Sequence, residues 1–171
     1  MVVMASGNLG LISFPRDPGR VSLEQIERDR PGLIEALRTH PGVGFVLVRS
    51  ESDGAVVLGG AGRHRLSDGH VDGVDPLAPF GPGAAAHVAR TDGFSNCPDL
   101  VLNSTWWPET REVAAFEELV GSHGGMGGSQ SFPFVLHPAD LAYPAEGVIG
   151  AGTLHQVLRS WLVQLGHEEY R

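Results

Sequence analysis

Glycine and proline recur so densely in this chain, 24 and 12 times in 171 residues, that few stretches are long enough for an extended helix. Each is a break point, because proline lacks the ladder donor and glycine readily takes the backbone angles of turns. The pattern predicts short elements joined by tight connections, not a helical bundle. The length suits one domain, residues 1–171, able to bury roughly 68–70% of the surface its unfolded chain would expose. No internal repeat or interior linker divides it.

Residues 1–4 read at once as a strand, as if the chain began inside one, and Ser6-Gly7-Asn8 turns it toward a second apolar run at 9–14. Ser22 with Gln25 three residues on makes a capping box, so a helix starts there. Pro31 divides the apolar stripe of Leu23, Ile26, Leu33, Ile34 and Leu37 into two short helices. Residues 43–49 and 55–58 are β-rich and joined by Glu51-Ser52-Asp53-Gly54, a hairpin signal. Residues 59–82 read as a long surface excursion with no periodicity beyond one short strand, 82–90 as a short helix ending near Gly93, and 99–104 as an apolar strand. Beyond them, 112–120 is read as a strand and 132–136 as a short buried one. Leu154, Val157, Leu158, Trp161, Leu162 and Leu165 fall at helical spacing behind a Thr153/Gln156 capping box.

The charge balance narrows the partners. Twelve basic residues, all arginine, are scattered along a chain of net charge −8, which leaves no clustered positive face for a nucleic-acid backbone. A single cysteine, Cys97, excludes an internal disulfide. No apolar run approaches the ~20 residues of a membrane helix, and the first residues lack the regions of a signal peptide. The chain by itself reads as soluble, with cytoplasmic placement or membrane association left to an N-terminal region outside it.

Several residue groups invite chemistry. His64, His70 and Asp72 are ligand types on one loop, but their spacing fits no metal motif and a solvated polar loop is the preferred reading. Gly59-Gly60-Ala61-Gly62 is too far from a helix start to cradle phosphate. Cys97 has no neighbouring base to make it a nucleophile. Trp106 and Trp107 can stack on a ligand, though packing is the commoner use of such rings. The most distinctive stretch is Gly121-Ser122-His123-Gly124-Gly125-Met126-Gly127-Gly128. Its one versatile group is the His123 imidazole, Gly121 and Gly124 leave room beside it, and Ser122 can hold an outer hydrogen bond. A catalytic zinc takes about three protein ligands, so His123 needs partners from elsewhere.

Gly121-Ser122-His123-Gly124 followed by Pro133-Phe134-Val135-Leu136 resembles the alkaline phosphatase superfamily, in its type I phosphodiesterase/nucleotide pyrophosphatase branch. A closer likeness is to the C-terminal part of bacterial phosphodiesterase-like proteins, some fused to a holin-like membrane region. It is carried by Ser6-Gly7-Asn8-Leu9-Gly10, Asp75-Pro76-Leu77-Ala78-Pro79 and the run from Glu112 to Val120. The resemblance implies an α/β fold, part of a three-layer sandwich whose mixed sheet is flanked by helices and long loops. It implies a two-metal hydrolase of phosphate esters, with a divalent metal, expected to be zinc, and a Thr or Ser nucleophile that attacks phosphorus. Only His123 carries over as a metal ligand. The nucleophile and the other ligands are expected in an N-terminal portion, which makes that portion the expected partner and a phosphoester the expected substrate. The alternative is a non-catalytic binding module derived from the same fold.

Overall fold

The opening hairpin forms as β1 (Val2–Ser6) and β2 (Leu9–Ser13), paired antiparallel with Ser6 opposite Leu9 and Gly7 at φ 61° in the turn. The computed structural model describes residues 1–171 except Leu119 and Ser122. α1 (Leu23–Asp29) starts where the Ser22 hydroxyl accepts from the Gln25 amide at 3.1 Å. Past Pro31 and Gly32, α2 (Leu33–Arg38) follows as a separate short helix. β3 (Val43–Ser50) and β4 (Gly54–Gly59) make the expected hairpin, with Gly54 at φ 70°.

The excursion at 59–82 is more ordered than expected. It contains β5 (Gly62–Arg65) and β6 (Val71–Gly73), which extend the sheet outward from β4. These strands are short and polar, so backbone pairing and not apolar alternation holds them, and periodicity has little to register. α3 (Ala84–Asp92) ends at Gly93, and β7 (Leu100–Ser104) returns to the middle of the sheet.

The resulting α/β unit has a seven-stranded sheet in the order β1-β2-β7-β3-β4-β5-β6. Every ladder is antiparallel, where a mixed sheet was expected. The reason lies in β7. The strands β2 and β3 share a direction, but β7 pairs with both and separates them, so no parallel neighbours arise. β3 is buried on both sides. Val46 and Val48 join Ile26 and Ile34 under α1 and α2, while Phe45 and Leu47 join Ala84 and Val88 under α3. A register shift between Val43 and Phe45 turns Val43 to the first of these faces. The shift falls at Gly44, where a Cβ would stand 2.7 Å from the Ser104 carbonyl oxygen and 2.9 Å from Phe80 Cζ.

Two further expectations are corrected. Residues 112–120 give only β9 (Glu112–Val113), which pairs with β8 (Trp106–Trp107); the rest is irregular where it is described. Residues 132–136 form no strand, and Phe132, Phe134 and Leu136 are exposed at 85%, 89% and 91%. The segment has the composition of a strand but no ladder partner among the described residues.

The chain divides into two compact units, Met1–Pro133 and Phe134–Arg171. The second holds α4 (Ala151–Gln164), whose Trp161 is buried and donates from Nε1 to the Ala142 carbonyl at 2.6 Å. His137 stacks on Tyr143 with ring centroids 5.2 Å apart. The helix begins at Ala151, behind Gly150 at φ 84°, so Thr153 lies inside it and the expected capping box is not used. No helix among the described residues is long and apolar enough to cross a membrane.

Candidate metal-ligand loop

Phe116 packs on the core beneath α1 and α2, and Met126 packs on the opposite core beneath α3. Between these anchors the chain crosses the end of the sheet and carries His123 with it. That end is formed by the Gly7-Asn8 turn and by the close of β7 at Asn103 and Ser104, three polar side chains buried to 2% exposure or less (Asn8, Asn103, Ser104).

Asn8 and Asn103 are there to hold the loop. The Gly125 amide donates to Asn8 Oδ1 at 2.8 Å, and the Met126 amide donates to Asn103 Oδ1 at 2.6 Å. Both side-chain amides then donate back to the Met126 carbonyl, at 3.0 and 2.9 Å. The backbone closes the joint, with the Asn8 amide donating to the His123 carbonyl at 2.9 Å and the Phe116 amide to the Gly7 carbonyl at 2.8 Å. Glu117 Oε1 accepts from the Gly7 amide at 2.5 Å. Buried amides of this kind stay only where their hydrogen bonds are met, and here asparagine does for the loop what a neighbouring strand does inside a sheet.

Glycine is required at the joint. A Cβ on Gly7 would run into the His123 backbone, and one on Gly124, at φ 91°, into the Ser6 carbonyl. At Gly125 it would stand 2.5 Å from Asn103 Oδ1. The His123 imidazole itself faces solvent. Of the expected companions, Gly121 is exposed with open space around it, Gly124 serves the joint, and Ser122 lies outside the described residues. Asn8 and Asn103 escape a reading by composition because each is a single asparagine, one in a turn and one at the end of an apolar strand. Their pairing is a tertiary event.

One imidazole does not make a metal centre. Among the described residues no group of three or more His, Cys, Asp or Glu side chains could hold a metal ion, so this donor set does not fit a zinc site by itself. The other candidates are engaged separately. His64, largely buried, meets Asp75 Oδ1 at 3.0 Å, and the same oxygen accepts from the Leu77 amide at 2.9 Å. His70 meets Asp72 at 3.0 Å on the surface. Gly59 and Gly62 flank the two-residue turn between β4 and β5, not a helix start. Burial pushes the Cys97 thiol up from its ordinary value, the reverse of what a nucleophile needs. Trp106 lines a cleft beside Gly127 and Gly128, while Trp107, the next residue along β8, is 39% exposed. No family model, no curated protein and no solved structure matches the chain.

Proposed function

We propose that the chain is the C-terminal portion of a two-metal phosphodiesterase or phosphatase-like hydrolase, of the alkaline-phosphatase type of sandwich. In this reading His123 supplies one metal ligand to a site that an N-terminal portion completes with the nucleophile and the remaining ligands. The observation that carries it is the contrast at the loop: an exposed imidazole on a backbone pinned by two buried asparagines and a glycine contact. A merely structural histidine gains nothing from such a mount. A ligand does, because binding a metal with a pre-set group avoids the cost of ordering it.

The test measures zinc content and hydrolysis of bis(4-nitrophenyl) phosphate. It compares this chain alone with this chain reconstituted with a polypeptide carrying the nucleophile and the remaining metal ligands, sought first in the coding sequence directly upstream. Reconstitution is expected to bring both zinc and turnover. His123→Ala is then expected to lower both by more than the roughly 10–100-fold that even outer partners of metal ligands contribute. Full activity and zinc in the reconstituted His123→Ala protein would sink the assignment.

A second reading has its own support in the lack of any complete ligand group among the described residues. On that reading the chain is a stable, non-catalytic binding module. A reconstituted protein that is folded, metal-free and inert would favour it.

A further inference from the structure

The glycine loop continues past Met126 into a second contact that involves no metal-ligand type. Gly127 and Gly128, at φ 113° and 68°, lie against the Trp106 indole. A Cβ on Gly128 would stand 3.2 Å from Trp106 Cζ3, and one on Gly127 3.0 Å from Trp106 Cβ. Bare backbone is therefore what lets the loop reach the ring. Beside this contact opens a cleft of about 700 Å³, within the roughly 300–1,000 Å³ of small-molecule sites.

Its walls combine two chemistries. Phe80, Trp106 and Phe132 present aromatic surface, and Arg111, Ser129 and Ser131 bring charge and hydroxyls. Phe80 is fixed from behind by an edge-on contact with buried Phe45, the ring centroids 5.2 Å apart at 87°. Arg111 takes part in no ion pair among the described residues. It is also the one non-glycine residue among them with a positive φ, 59°. It closes the hairpin between β8 and β9, a position that glycine or asparagine fills at less cost. The turn alone does not call for a guanidinium.

We infer that this cleft binds a planar aromatic ring that carries an anionic group, with the ring against Trp106 and Phe80 and the anion at Arg111. Flat π-surfaces stack on such walls and an unpaired guanidinium gives a charge-assisted bond to an oxyanion. The site needs no metal at His123 and stands or falls apart from the phosphohydrolase reading.

The test is calorimetric titration of the full chain with naphthyl phosphate, alongside cyclohexyl phosphate and inorganic phosphate. Naphthyl phosphate is expected to bind one to one and at least about tenfold more tightly than either control, and Arg111→Met is expected to weaken it by about tenfold or more. Amide shifts on titration should centre on residues 127–131, a readout that holds even if Trp106→Ala fails to fold. Equal affinity for the three phosphates, unchanged binding by Arg111→Met, or amide shifts centred elsewhere would each overturn the inference.

Discussion

Arg111 holds left-handed backbone that glycine would take with less strain, and its exposed guanidinium has no ion-pair partner among the described residues. Arg111→Gly should relieve the backbone and raise stability by roughly 0.5–1 kcal/mol, read as a higher urea midpoint with unchanged slope, while aromatic-anion binding falls. A lower midpoint would show that the guanidinium supports the hairpin. At Asn103 the expected change has the opposite sign. Asn103→Ala removes the acceptor of the Met126 amide and one donor to the Met126 carbonyl in a site that is almost fully buried. It should cost about 1–3 kcal/mol. The Met126 amide, bonded to Asn103 Oδ1, should exchange slowly with solvent in the parent protein and fast in the variant. If its exchange rate does not change, the asparagine brace is not what fixes the loop.

Exchange also ranks the elements. β7 and β3 lie inside the sheet and between two apolar faces, so their amides should be the slowest. β1 and β6 pair on one side only, and Val2, Val3 and Met4 of β1 are exposed, so amides there should exchange orders of magnitude faster. Equal protection across the sheet would contradict this ranking. The elements legible in the sequence are those whose signal is local: the Ser22 cap, the Pro31 break, the Gly54 turn, the apolar run of β3 and the stripe of α4. Those missed lack such a signal. β5 and β6 are polar strands held by pairing, and the strand-like composition of Phe132, Phe134 and Leu136 meets no partner. At the candidate site His123 stood out because its neighbours are so small. Asn8 and Asn103 did not, since 95 positions separate two residues whose joint role exists only once β2 and β7 are neighbours.

On the scale of the whole molecule both apolar cores lie inside Met1–Pro133, so a chain ended at Pro133 should still unfold cooperatively, with a melting midpoint within a few degrees of the parent's. The acid end of its stability curve should be governed in part by Asp92. This carboxylate, at the end of α3, takes Arg49 of β3 at 2.9 Å and Arg20 of the loop before α1, and so ties three segments together. Burial alone would push the Asp92 carboxyl up, but the hydrogen bonds and charges of Arg49 and Arg20 outweigh it and hold it below its ordinary value. A carboxyl depressed by folding adds stability above the unfolded value, near 4, and that stability is lost as pH falls through the lower folded value. Urea midpoints measured from neutral pH downward should therefore fall more steeply below about pH 4 in the parent than in Asp92→Asn. The variant should start lower and the two curves should converge in acid. Curves that stay parallel down to the acid end would mean that Asp92 titrates alike in the folded and unfolded chains, and that the arginines pack around it without holding its charge.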